Sequence, residues 1–180
     1  MVTNMAVLSK GSFTLDLKIV KLSADLTEDD RQCAWELYTE MSTRVSVTGK
    51  HSDSDCTDFS GELYIESLES LFRFFQEARG IMRKFPVGKI GGNTQEHLGV
   101  MVNKAMSNVL RPFLEKWQVK YRHWWEHQSH PKQHPIDRQK EFPEIEAFLA
   151  DWAAVRWLMR AFQKELVKVY ALVDVGAEEG

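Results

Sequence analysis

At 180 residues, 43% of them apolar, the chain is long enough to bury one proper core and too short for two domains to be the expectation. A formal charge of −3 gives no global electrostatic pull toward nucleic acid or an anionic bilayer, so binding of that kind has to be local. Two cysteines, Cys33 and Cys56, are too few for a metal or disulfide framework and read as free thiols of a reducing compartment.

The first ten residues lack the basic start and apolar run of a secretory signal. No apolar run approaches the roughly 18 residues that would span a bilayer. The expectation is a cytoplasmic protein with no membrane attachment.

In chain order, residues 13–22 (FTLDLKIVKL) come first, where Phe13, Leu15, Leu17 and Ile19 alternate with polar neighbours at the period of a half-buried strand. It is the one convincing strand. Its backbone needs a partner, either Arg44 to Thr48 (RVSVT) within the chain or another protein that pairs by strand addition. A helix over 27–45 comes next, with Thr27 as N-cap and Glu28, Asp29 and Asp30 at the positive end of its dipole. Its apolar stripe runs through Cys33, Leu37, Tyr38, Met41 and Val45. Between Gly49 and Gly61 the polar stretch KHSDSDCTDFS has no periodicity and reads as a mobile loop.

A second helix spans 62–85, with Tyr64, Leu68, Leu71, Phe72, Phe75, Ala78 and Met82 gathered on one face. Pro86 and the glycines at 88, 91 and 92 end it. The segment Gly88 to Thr94 reads as a flexible connection. It comes after a helix, not a strand, and lacks the spacing of a phosphate-binding loop. A third helix over 94–127 is capped by Thr94 and is expected to kink at Pro112, which has no N–H to donate. Pro131 and Pro135 forbid its continuation, and a fourth helix runs over 137–174. Four amphipathic helices in one domain, 1–180, point to a mainly α fold, an antiparallel four-helix-type bundle with an N-terminal β-strand. There is no βαβ alternation and no internal repeat.

The densest chemistry lies between residues 111 and 140, where seven basic residues stand against three acidic ones among four histidines and the four rings of Trp117, Tyr121, Trp124 and Trp125. Lys120, Trp124 and Trp125 are the candidates there for stacking on bases and neutralising phosphate, which makes nucleic acid a possible partner of this segment. The equally simple reading is a helix end leading into a solvated polar loop. Within it, Arg122 and His127 form R-x4-H, which resembles the signature of HEPN ribonucleases. That resemblance implies His127 as acid or base and Arg122 as stabiliser of phosphate charge. So short a pattern recurs by chance, and Arg44 and His51 fit its longer spacing as well. His123 and His127 share a helix face as zinc-binding pairs do, with His130, His134 or Glu126 as a third ligand. No H-E-x-x-H is present, and neither a metal nor another cofactor is expected. Arg44, Arg111 and Arg156 lie on or near the apolar stripes and would need carboxylates such as Glu36, Glu40, Glu66 or Glu69.

Three stretches, ELYTEMSTRV (36–45), LYIESLESLFRFFQEARGIMR (63–83) and LGVMVNKAMSNVLRPFLEKW (98–117), carry a wider resemblance. By them the chain resembles a family of small uncharacterised bacterial proteins. The run from Leu110 to Leu114 is the most specific part. That family often has histidine after the tryptophan, where this chain has Gln118, which argues against an imidazole role there. The resemblance implies a bacterial helical protein encoded near defence or conflict genes, and it implies no activity. The resulting expectation is a non-enzymatic interaction subunit of a larger bacterial assembly, an antiviral one included. Phe13, Leu15 and Leu17 of the strand, with Trp124, Trp125 and Lys120, are its candidate docking residues. Its partner is another protein or a second copy. The alternative is an RNA-binding protein or HEPN-like ribonuclease built on Arg122 and His127.

Overall fold

A computed structural model describes residues 3–20, 28–84, 98–128 and 130–175. The chain opens with a hairpin, β1 (Thr3–Lys10) and β2 (Phe13–Val20), paired antiparallel from Thr3 opposite Val20 to Lys10 opposite Phe13. Its two-residue turn starts at Gly11, whose φ of +58° is the conformation a tight hairpin needs there. The strand foreseen over 13–22 is therefore real to Val20, but it is not alone. Its partner is Thr3–Lys10, a segment whose run Met5 to Leu8 hides the period-two signal. Residues 21 and 22 lie outside the described residues.

The other proposed partner, Arg44 to Thr48, is helical. Helix α1 covers Glu28–Ser42 and α2 covers Val45–Thr48, so the helix foreseen over 27–45 stops three residues early. The cause is local. Ser42 and Thr43 hydroxyls both donate to the Thr39 carbonyl, at 3.2 and 2.8 Å, offering the backbone an alternative to the next helical turn. Arg44 is then extended, at φ −123° and ψ 100°, and α2 closes with the Gly49 N–H donating to Val45 at 2.8 Å. The proposed caps Thr27 and Thr94 and the glycine segment at 88–94 lie outside the described residues.

Helix α3 (Tyr64–Lys84) precedes a rod made of α4 (Leu98–Ala105), a π turn (Met106–Leu110) and α5 (Arg111–His127). The π turn closes with Arg111 N–H donating to Met106, five residues back. It sits just ahead of Pro112, so the widened turn absorbs both the missing donor and the ring's crowding of the preceding carbonyl. A short helix α6 (Pro135–Arg138) and a 3-10 turn (Gln139–Glu141) come next. Helix α7 (Ile145–Tyr170) then starts eight residues later than the foreseen 137, after the Phe142–Pro143 turn, and ends at Ala171 in the left-handed region.

The fold is mainly helical, as the periodicity implied, with an N-terminal hairpin. Helices α1, α3, α5 and α7 pack in cyclic order, each against the next, and α7 also touches α2 and both strands. One core fills the ring. Its centre is aromatic: Trp117, Trp152, Tyr121, Phe113 and Phe148 are all fully buried, with Phe113 stacked on Phe148 and Tyr121 on Phe148 at 6.1 and 5.1 Å. Each such burial contributes about 1.5–3 kcal/mol, and the stacking adds about 0.5–1.5. The two indole N–H groups are satisfied, while the buried Tyr121 hydroxyl has no hydrogen-bond partner among the described residues. Trp152 donates to the Ser46 carbonyl and Trp117 to Asp151, both at 2.9 Å.

Candidate functional site

The residues singled out between 111 and 140 are largely used by the fold. Trp117, Tyr121 and Trp124 face the core. Trp125 is half-buried, and the Arg138 guanidinium lies 3.8 Å from its ring centre while bonding the Trp125 carbonyl. Lys116 reaches Asp151 at 2.8 Å and Lys120 reaches Glu144 at 2.6 Å. The ring faces and two of the cations that a single strand would need are thus engaged within the chain.

Arg122 and His127 are both exposed on α5. Five residues of α-helix turn through about 500°, leaving the two side chains roughly 140° apart around the axis, so they do not meet over one reacting centre. His123 and His127 do share a face, with rings stacked at 4.7 Å and His127 Nδ1 3.0 Å from the His123 carbonyl. No third ligand joins them: among the described residues no three His, Cys, Asp or Glu gather around a common point. His134 instead accepts the Ile136 N–H at the start of α6. Phe13, Leu15 and Leu17 are 5, 0 and 1% exposed, so these strand residues are part of the core and their side chains offer no docking surface.

Of the three arginines, Arg44 pairs with Glu40 at 2.7 Å as foreseen, and Arg111 pairs with Glu115 in the open. Arg156 is wholly buried, and its carboxylate is Glu62 at 2.6 Å, not one of the four candidates. Burial pulls this guanidinium below its ordinary pKa, opposed by the bond to Glu62. Its Nε and Nη1 find no hydrogen-bond partner among the described residues. The Phe59 and Trp152 rings lie 4.0 and 5.0 Å from its centre and supply π faces in their place.

The loop from 49 to 61, read as mobile, is tied down from α7. Arg160 donates to the carbonyls of Thr48, Lys50 and Asp53 at 2.9, 2.6 and 2.5 Å. Lys50 holds Asp58 and Ser60, and the Asp53 carboxylate accepts from the Asp58 and Asp55 amides. These bonds hold both acids below the usual carboxylate range, chiefly the Asp58 amide for Asp53 and Lys50 for Asp58. Neither thiol is activated. Burial, with Glu36 and Asp30 nearby, pushes Cys33 up to about 12, and burial raises Cys56 as well.

Among the spaces the fold leaves open is a groove of about 770 Å³ between α3 and the α4–π–α5 rod. Phe72, Phe75 and Met82 line one wall, and Met106, Leu114 and Val119 the other. The sequence stripe on α3 placed Phe72, Phe75 and Met82 in the core. The residues that reach the core are Tyr64, Leu68, Leu71, Phe74, Ala78 and Ile81, and Phe72, Phe75 and Met82 stay half-buried at its edge. Val119, 75% exposed, faces them from α5. Arg79, Arg83 and Arg111 stand at the rim, with Glu115 the one acid among the described lining residues. Arg79 lies 5.8 Å from the Phe75 ring. The width of the α3 stripe, broader than one packing face needs, was the signal available in the sequence.

No helix among the described residues is long and apolar enough to cross a membrane. No family model, no curated protein and no solved structure matches the chain.

Proposed function

We propose that this chain is a non-enzymatic interaction subunit and that the groove between α3 and α5 is its docking face. The observation that carries the reading is the surplus apolar side: Phe72, Phe75 and Met82 remain half-buried, with Val119 exposed across from them, after the core is complete. Apolar surface left in a concave trough and rimmed by charge is the form of a protein recognition site. The resemblance to small bacterial proteins makes a bacterial assembly the setting, with antiviral defence among its roles. The ribonuclease alternative has less support, because Arg122 and His127 point to different sides of α5.

Native mass spectrometry of the tagged chain from its own host tests this directly. Wild type carries a stoichiometric partner, and Val119→Asp, which touches no core contact, loses it while melting normally. A wild-type chain that stays a monomer without partners removes the reading.

A further inference from the structure

Resting on that docking reading, we infer that the occupant of the groove is an amphipathic helix with an acidic flank, supplied by a different protein. The walls define its shape. Phe72 to Arg83 is twelve residues of α3, about 18 Å or three turns, facing a helical rod along its length. A third helix nests between two such ridges and anchors through apolar residues at i, i+3 or i+4, and i+7. Neither wall is a strand edge that could add an extended peptide.

The rim defines its charge. Phe72, Phe75, Arg79, Met82 and Arg83 fall within a strip about 100° wide on α3, which places two guanidiniums beside the apolar anchors. Among the described residues neither Arg79 nor Arg83 forms an ion pair. Arg111 shares the rim with Glu115, its own partner at 2.7 Å. The groove is therefore cationic on a chain whose net charge is −3. Acidic side chains flanking the anchors complete these cations and speed the encounter.

A second copy offers no such helix among the described residues. Among the described residues the large apolar side chains left exposed are Val7, Trp35, Val45, Val119, Val173 and Val175. No three of them fall at helical spacing on one element, so there is no row to seat.

The test uses two libraries of stapled helical 14-residue peptides. Both are randomised among Leu, Met and Phe at three anchor positions and differ only in carrying Glu or Lys on the flanks. Both are selected on the full chain, and binders are titrated by fluorescence anisotropy against wild type, Val119→Asp and Arg79→Glu/Arg83→Glu, with circular dichroism confirming the fold of each. The expected result is binders from the Glu library only. They lose about tenfold in affinity on the double charge reversal, the scale of two exposed ion pairs, and bind no better than background to Val119→Asp. The reversed protein then selects from the Lys library.

Equal recovery from both libraries, or Glu-library binders indifferent to the reversal, overturns the inference. Recovery from neither library does so too. In those cases docking itself is judged separately. A host partner, or a dimer, that still depends on Val119 keeps the groove as interface with another occupant. Indifference to Val119→Asp there ends both readings.

Discussion

The two flanks of α3 are built from the same residue types and behave differently. Toward the interior of the ring the side chains of Tyr64, Leu68, Leu71 and Phe74 are buried, Tyr64 against the rings of Tyr121, Phe148 and Trp152. Toward α4 and α5, Phe72, Phe75 and Met82 meet a trough with arginines at its lip. The difference lies not in hydrophobicity but in what stands opposite. A periodic stripe tells which side chains avoid water, and only the packing of other elements tells whether anything covers them.

The contrast can be broken most strongly from its enclosed side. Trp152 touches Phe59, Tyr64, Phe113 and Phe148 and donates to Ser46. Trp152→Ala is expected to cost about 3–5 kcal/mol in denaturant unfolding, and Phe72→Ala well under half of that. Equal losses would mean that both flanks are core.

Next comes the buried ion pair. Glu62→Ala leaves the Arg156 guanidinium enclosed without its carboxylate and is expected to cost about 3–5 kcal/mol, whereas Glu62→Leu with Arg156→Met recovers most of it. A double variant no better than the single would show that the pair is not the strained feature. Gly49 tests the same region at its loop. With φ +72° and space for a Cβ only 3.1 Å from Arg160 Nη2, Gly49→Ala is expected to cost about 1–3 kcal/mol. The melting temperature reads it directly.

How much of this was legible divides along the same line between local pattern and long-range cover. The helical ring was legible because each stripe is local, and Leu68, Val109 and Met159 are all buried as periodicity requires. β1 was not, since Met5 to Leu8 runs apolar without alternation and only the register with β2 makes it a strand. The loop at 49–61 read as mobile because its anchors lie more than a hundred residues away, on Arg160. Arg122 and His127 caught attention as letters five apart, and helix geometry separates them. Phe72, Phe75, Met82, Met106 and Leu114 of the groove were noticed, but as core, and Val119, Arg79 and Arg83 were not noticed at all.

The loop also has an acid response of its own. Asp53 and Asp58 have folded pKa values below the ordinary 3.8, so their contribution is complete above that value and is lost as pH falls through the folded values. NMR shifts of the Asp58 and Ser60 amides should therefore hold steady from pH 8 to about 5 and move only below 3.8. The Arg160 bonds to backbone carbonyls do not titrate in this range, so the loop stays attached to α7 and helical circular dichroism is retained. Movement of these amides near neutrality would mean that the carboxylates are not held by the Lys50 and amide bonds described.

The smallest expected effect on stability is the sharpest on the open side. Val119 is three-quarters exposed, so Val119→Asp replaces a side chain already in water and should change unfolding free energy by no more than about 0.5 kcal/mol. Leu114, on the same wall but 6% exposed, should lose several times as much on the same substitution, because a carboxylate there enters the core unpaired. If the two variants unfold alike, something folded over Val119 already fills the trough and the groove is not free to receive a partner. If only Leu114→Asp falls, the wall divides between these two residues: one side belongs to the protein's own interior and the other to whatever docks on it.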